Sequence, residues 1–513
     1  MRASKLSALL AVGHFLVGTV ASFDLPIAAR TDDVESDSTA ILYDGAKPVL
    51  IGNDGGAASG GFRTFAISDG AHLAEVRHRT PGRTKLVATV YGVGGKDLII
   101  TNAQPDSLFY LYDASTVEQV GRPLARTLGA WSALCAWRSP SSGDQFLYLF
   151  GKKVAVQLLL RADQRSKSAH KSIEIVEVQT FETPVEASSC AVSSSTRTVL
   201  FSGDGDSNIY TFGAVESTQV PNITILGVAE IGVTGLAVYV GKTSDYLLVG
   251  QKNTIAFYNE SFSVLGSVTL TGDDDIEIQG LNIYQGETQS YPTGIVTYAL
   301  KSHSGTGFGL SSLEEAFDHF DLQFHTGYNP RKTGPKLESK VCSRCNFNGF
   351  CGRSTHPSGL SSCLCFAGFT GDTCISYTCR GNCSGNGRCV GANQCNCDEG
   401  WGGLYCAFKV VKAVAETDAT GGDGDDPAIW ISPVNKAMSR IITTIKSDNG
   451  AGFGVFDLTG KKIQTMTAAK PNNVDVIYNF RAGDKVIDLV YAACRKDNTL
   501  WYVSLSVSPT SHA

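Results

Sequence analysis

Apolar, strand-like runs recur along the first three hundred residues at a nearly constant spacing. They begin at Val49 (VLIG), Leu98 (LIIT), Phe146 (FLYLF), Val199 (VLFSG), Tyr246 (YLLVG) and Ile295 (IVTYAL), at separations of 49, 48, 53, 47 and 49 residues. A period of this size marks a repeat architecture in which each unit buries its faces against its neighbours. After a turn rich in Gly, Asp or Asn, each run is followed by a second strand such as FRTFAI, LFYLYD, NIYTF or TIAFYN, which is the pattern of antiparallel hairpins. Further strands, TGLAVY from Thr234 and QGLNIY from Gln279, precede the later units. Several strands per unit is the content of a propeller blade. With 55 Gly and only 3 Met, the chain is turn-rich rather than a helix bundle. The fold expected is all-β, with a six-bladed β-propeller over 23–330.

The flanking segments bear on compartment. Residues 1–22 carry Arg2 and Lys5, then an apolar run from Leu6 to Val20 interrupted by His14, then Ala21 and Ser22. This is the layout of a signal peptide, and the run is too short for a membrane span. No later stretch has the length of a transmembrane helix, so the expected product is secreted. Asn222, Asn259 and Asn382 head N-x-S/T sequons, as in a glycoprotein. A net charge of −6 gives no basic surface to track nucleic acid.

Twelve of the fifteen cysteines crowd between a linker at 331–341 and residue 406. They divide into Cys342, Cys345, Cys351, Cys363, Cys365 and Cys374, and Cys379, Cys383, Cys389, Cys395, Cys397 and Cys406. Both sets end C-x-C-x8-C with Gly and an aromatic before the last cysteine (FAGFTGDTC, DEGWGGLYC). The spacing resembles tandem EGF-like modules, 342–374 and 375–406, held by disulfides in place of a full apolar core. Zinc is the competing use of clustered cysteine, and export argues against it. Neither module has the acidic cluster that calcium-binding versions carry before the first cysteine. The pair is expected to act as a spacer, with a protein partner through these modules as a further expectation. Cys135, Cys190 and Cys494 are left over.

After Cys406 the hairpin pattern returns near Ile441 and Val486. Residues 425–503 run along one diagonal with 37–111: Ala428 and Ile429 meet Ala40 and Ile41, Gly452 and Phe453 meet Gly61 and Phe62, Phe456 meets Phe65, Tyr478 meets Tyr91 and Leu500 meets Leu108, at offsets of 387 to 392. Residues 407–513 thus read as the first third of a second propeller, about two blades. Two blades cannot close a ring and would expose strand edges. The expectation is that the natural chain continues, or that another chain completes it.

The polar residues concentrate in this second set. GGDGDDPAIW places Asp423, Asp425 and Asp426 on one turn, where repelling carboxylates favour a cation, and oxygen donors suit calcium. A solvated acidic turn is the plainer alternative. KPNNVDVIY adds Asn472, Asn473 and Asp475, while Lys446 and Arg495 lie on hairpin turns. Calcium with Lys and Arg on one rim suits a dense phosphate ester.

Together DDPAIW, IITT with its following Lys, NNVD and the Arg-bearing turn resemble the β-propeller phytases, closely over 412–503. Over the N-terminal region the resemblance is looser and rests on the six units, GL-x-x-Y strands and SSLEEAFDHF. It implies calcium-dependent removal of phosphate from myo-inositol hexakisphosphate by metal-activated water. It makes Asp425, Asp426 and Asp475 catalytic, with Asn473 beside them as calcium ligands, and Lys446, Arg495 and Asn472 holders of substrate phosphate. Glu186 and Asp204 are further metal candidates, with Asp206 beside them, against the plainer alternative of solvated turn carboxylates. Where the family has Arg after NNVD, this chain has Ile477. In the N-terminal units the counterparts of Asp426, Lys446, Asn473 and Asp475 are Ser38, Gly55, Leu86 and Ala88, and Thr234 and Gln279 stand where the family presents acids. The alternative is a non-catalytic secreted binding or scaffold protein. There is no H-E-x-x-H zinc motif and no G-x-S-x-G elbow.

Overall fold

The computed structural model describes residues 22–44, 47–56, 59–68, 70–104, 107–125, 130–163, 172–332, 339–352, 362–420, 424–446 and 450–505. The body of the expected signal peptide, residues 1–21, and Asp423 lie outside the described residues. Ser22, the last residue of that expected leader, opens the strand Ser22–Pro26 and pairs with Ser267.

Six sheets follow one another along 22–312, each built on an antiparallel meander, with strands from the N-terminal segment added to the fifth and sixth. Their innermost strands are Thr39–Leu42, Thr84–Val93, Ala133–Arg138, Ala187–Ser193, Gly235–Tyr239 and Glu277–Tyr284. Each lies beside the next, and the sixth lies beside the first, so the ring is closed. We number the blades one to six in this order. Being covered on both faces, the blade strands read as continuous apolar runs: every residue of Gln145–Gly151 is buried.

Closure is non-local. Ala29–Arg30 pairs antiparallel with Gly305–Ser312 and becomes the outer strand of blade six, while Ser22–Pro26 adds a parallel strand to Val264–Thr271 of blade five. At the seam the Thr39 hydroxyl donates to Gly280 O at 2.8 Å. Gly280 has φ +53°, and a Cβ there would lie 2.5 Å from Asp37 O, so this left-handed close approach selects glycine. The Phe308 ring of blade six fills the place of a side chain at Gly52, 2.2 Å from where its Cβ would stand. The helix Glu314–His319 buries Phe317 against Tyr239 and Phe257 of blade five. Among the described residues no helix is long and apolar enough to cross a membrane.

The three leftover cysteines differ in fate. Cys135 and Cys190 form a disulfide between the innermost strands of blades three and four. Cys494 is a buried free thiol. In the first small module Cys342–Cys351, Cys345–Cys363 and Cys365–Cys374 pair; in the second, Cys379–Cys389, Cys383–Cys395 and Cys397–Cys406. The sulfur groups near enough to hold a metal are these same bonded cysteines.

The first module is more than a spacer. Phe350 and Phe366 are buried in one apolar cluster with Val178 and Phe181 of blade three. Ala367 N donates to Val178 O at 3.0 Å, the Arg161 guanidinium donates to Phe347 O, and the second module's Asn393 reaches Glu177 at 3.4 Å. Aromatic rings carry the largest apolar areas of any side chains, and here the small module offers two of them to the blade.

The described residues between 410 and 505 form a separate compact unit. Gly424–Trp430, Arg440–Ile445, Gly452–Phe456 and Lys462–Thr467 make one four-stranded sheet, and Pro471–Ala482, Lys485–Cys494 and Thr499–Leu505 a three-stranded one. Ala428, Trp430, Ile442 and Phe453 pack between them against Val474, Val490 and Ala492. The strand pairing shifts one expected match. Tyr491 faces Tyr502 as Ile100 faces Leu111, so Leu500 corresponds to Phe109 rather than to Leu108.

Candidate functional site at the rim of the C-terminal sheets

In each hairpin of this type the first strand begins where the second ends, so residues at those two points share one rim. Asp425 and Asp426 open Gly424–Trp430, Lys446 directly follows Arg440–Ile445, Asn472, Asn473 and Asp475 open Pro471–Ala482, and Arg495 directly follows Lys485–Cys494. All expected site residues of the C-terminal unit therefore stand on the same rim.

A threonine hydroxyl joins the two sheets there. Thr444 Oγ1 accepts from Asp426 N at 3.0 Å and donates to Asn472 O at 3.1 Å. Lys446 Nζ lies 3.1 Å from Asp425 Oδ1. The Asn472 amide donates to Asn473 Oδ1. Asp475 Oδ1 accepts from Val476 N at 2.7 Å, and the Tyr491 hydroxyl reaches its other oxygen at 3.5 Å. Arg495 N donates to Lys470 O, which fixes its turn, and its side chain is exposed.

The convergence is partial. Asp425 and Asp475 are exposed and Asp426 is half-buried, rather than crowded into a buried rim. Among the described residues no three carboxylates bring their oxygens within 4.8 Å of one another. The residues fit a hard cation in kind, since they offer carboxylate and amide oxygens. In number they supply part of a shell that takes six to eight oxygens for calcium.

Glu186 and Asp204 lie elsewhere, on the wall of the channel through the six-bladed ring, a cavity of about 890 Å³. Asp37, Lys85 and Asp206 line it too. Asp206 is occupied in its own turn, accepting from Asn208 N and Nδ2 at 2.9 and 2.8 Å. Thr234 and Gln279 also face the channel.

Sequence reasoning passed over Asp37. It occupies in the ring the place of Asp425, and the diagonal that matched Ala40 with Ala428 would have found it. Burial pushes its carboxyl up, against the opposing pull of Lys85, a hydrogen bond from Asn53 and Arg83. Asn53 does the work of Thr444: its Oδ1 accepts from Asp37 N and Ser38 N, and its Nδ2 donates to Thr84 O.

Comparison with known proteins finds matches to separate regions of the chain. Residues 403–505 match the Phytase family model, and residues 386–408 match the model for "Protein jagged-1-like, atypical EGF2". The chain is 41% identical over 93 residues to the 3-phytase of Bacillus subtilis (strain 168), a match that covers 18% of this chain and 23% of the relative. It is 48% identical over 42 residues to "Anterior pharynx in excess protein 1" of Caenorhabditis elegans, covering 8% of each. The chain thus spans less than a quarter of the phytase it matches and a smaller share of the second relative. Among solved structures, regucalcin of Agrobacterium tumefaciens superposes with a TM-score of 0.38 at 11% identity over 57% of this chain and 95% of that one. The WD40 repeats of RRP9 give 0.35 at 11% identity, over 55% and 96%. Residues 403–505 of this β-propeller and EGF-containing chain accordingly carry a phytase-family domain.

Proposed function

We propose that the C-terminal unit serves a secreted, calcium-dependent phosphomonoesterase acting on myo-inositol hexakisphosphate. The observation that carries the reading is the phytase-family match at 403–505 coinciding with one rim that gathers Asp425, Asp426, Asn473, Asp475, Lys446 and Arg495. Asp426, Asn473 and Asp475 would hold calcium, with Asp425 shared between the ion and Lys446. Bound calcium supplies charge neutralisation at the phosphoryl oxygens and a more acidic water. The chain's own part is positional. Thr444 fixes the spacing of the two acidic strand starts, and Lys446 and Arg495 present positive charge to phosphate from the adjacent turns. Water is the attacking group, so no covalent enzyme intermediate is required.

The test is phosphate release from calcium phytate by the full chain expressed in an oxidising secretory host, with and without chelator, beside a chain carrying Asp425→Ala and Asp426→Ala. The expected result is chelator-sensitive release that the double substitution abolishes. Release that survives both treatments defeats the calcium assignment.

A second reading, a binding or scaffold protein, is favoured by the N-terminal ring. That ring is closed and keeps its channel, yet it has Ser38, Leu86 and Ala88 at the places of Asp426, Asn473 and Asp475. Absence of phosphate release from folded protein would leave this reading standing.

A further inference from the structure

Each blade of the closed ring ends in an outer strand, and a bare outer edge is a template for pairing with another chain. On five of the six blades that edge is blunted. Blade one ends in Ala74–Arg79, which carries Glu75, Arg77, His78 and Arg79. Blades two and six end in the two-residue strands Leu124–Ala125 and Ala29–Arg30. Blade three's edge receives Ala367 N of the first small module at Val178 O, and blade five's is taken by Ser22–Pro26.

Blade four is the exception. Its outer strand, Thr224–Val228, pairs with Asn208–Gly213 on one side and, among the described residues, with no strand on the other. Phe262, from a turn of blade five, covers Gly227, but Ile225 is 55% and Val228 64% exposed. No Lys or Arg occurs between Arg197 and Lys242, so the edge lacks the charges that commonly keep strands apart. Residues 223–228, ITILGV, form a β-prone run without charge or proline, which is the composition of a segment that stacks into fibrils.

Two residues before this strand stands Asn222, in the sequon N-I-T. Asn222 and Thr224 are both exposed, and their side chains make no hydrogen bond among the described residues. The other two sequons are placed differently. Asn259 Oδ1 accepts from Ser261 N and Ser263 N at 3.0 and 2.9 Å, and Asn382 precedes the buried, disulfide-bonded Cys383.

We propose that Asn222 carries an N-linked oligosaccharide that covers the open edge of blade four. In the transfer, Asn222 Nδ2 bonds to the anomeric carbon of a polyprenol-diphosphate oligosaccharide. The bond from that carbon to the diphosphate oxygen breaks, the lipid diphosphate leaves with the electron pair, and the amide gives up one proton. The attached sugar is bulky and hydrated. Beside Thr224–Val228 it fills the space that an incoming strand, about 4.8 Å away, would need. The inference goes beyond the phosphatase reading and rests on the secreted one.

The test uses the full chain from a eukaryotic secretory host, as the parent and as Asn222→Gln, Thr224→Ser, and Asn222→Gln combined with Ile225→Lys. Enzymatic glycan release in heavy-oxygen water leaves a labelled aspartate at each occupied asparagine, read by peptide mass. Label is expected at position 222 in the parent and in Thr224→Ser, which keeps the sequon. Light scattering should show Asn222→Gln lost into high-mass species. Ile225→Lys, which charges the edge at an exposed position, should return that chain to solution. Secretion with an unmodified Asn222 overturns the proposal, as does an Asn222→Gln chain that stays soluble or an aggregation that Ile225→Lys does not relieve. Retention inside the cell with unpaired cysteines defeats the secreted reading and this inference with it.

Discussion

Tyr91 and Tyr478 make the same pair of hydrogen bonds 387 residues apart. Tyr91 Oη accepts from Tyr43 N at 3.1 Å and donates to Ile41 O at 3.0 Å; Tyr478 Oη accepts from Ile431 N at 3.0 Å and donates to Ile429 O at 3.2 Å. Further along, Gln104 N bonds Arg83 O as Arg495 N bonds Lys470 O. Gly92 N bonds Asp97 Oδ1 as Asn479 N bonds Asp488 Oδ1. The backbone plan of the two regions is therefore one plan. Their surroundings differ: Tyr91 is buried, and burial pushes its hydroxyl up to about 12, whereas Tyr478 stands in the open. Blade geometry is set by local pairing within a pair of sheets, while desolvation is supplied by the next blades. The polar residues differ as well: the open pair has Asp426, Asn473 and Asp475 where the ring has Ser38, Leu86 and Ala88, while the ring keeps Asp37, Glu186, Asp204 and Asp206 on its channel.

The largest expected effect that would sharpen this contrast is Phe308→Ala. Removing the blade-six ring that rests over Gly52 and beside Phe65 should cost the N-terminal ring about 3 to 5 kcal/mol. Denaturant unfolding should show the loss in the ring's transition and leave that of the C-terminal unit in place. Equal loss in both would mean that the two regions unfold as one.

Next comes an exchange of residues between the regions. Thr443 stands in the C-terminal sheet at the place of Gly52, since strand pairing matches Ile442 with Ile51. Gly52→Thr should overpack the seam against Phe308, at about 1 to 3 kcal/mol. Thr443→Gly, on a flank without that ring, should cost about 1 kcal/mol at most. A seam that accepts threonine without loss would refute the account of closure.

The tyrosine pair gives a third contrast. Tyr91→Phe strands the buried Tyr43 N, while Ile41 O keeps the Thr89 hydroxyl at 3.1 Å, and should cost about 1 to 3 kcal/mol. Tyr478→Phe lets water replace the lost hydroxyl and should fall within about 0.5 kcal/mol. Amide exchange at Tyr43 and Ile431 reads the difference directly, and equal acceleration at both sites would break the comparison.

The smallest effect is a pH dependence at the closing strand. Asp273 is pushed up by burial, but hydrogen bonds from Ser302, Ser304, the Asp274 amide and Arg30 outweigh that and hold its carboxyl well below the usual range. A carboxyl depressed in the folded state stabilises above its unfolded value, near 3.9. That contribution is lost as pH falls through the lower folded value. Arg30 lies on the strand that completes blade six, 2.7 Å from Asp273, so acid below about pH 4 should loosen ring closure first. Asp273→Asn should flatten the acid limb of the ring's melting temperature, and an unchanged limb would remove the pair from the closure argument.

Much of this architecture was legible in the chain. The spacing of the runs from Val49 to Ile295 named six units, and the division of twelve cysteines named two modules. The diagonal from Ala428 to Tyr478 named a second set of blades. What escaped has a common cause, which is that its partners are distant in sequence. Cys135 and Cys190 sit in blades that become neighbours only in the ring. Phe350 and Phe366 read as module residues until blade three is placed beside them. Leu500 slipped by one residue, because a leucine was matched to a leucine where only strand register could decide. Asp425, Asp426 and Asp475 open neighbouring inner strands, yet spacing along the chain could not say how far apart their oxygens would stand.

By itself the sequence determined the all-β class, the number of units, the disulfide-rich block and which residues open each inner strand, because these follow from side-chain period and from turns a few residues long. Tertiary structure alone decided that Ser22–Pro26 and Ala29–Arg30 close the ring, that the first small module docks on blade three, and that Ile41 is covered while Ile429 is bare. Burial belongs to pairs of surfaces, and a surface learns its partner only when the chain has brought the two together.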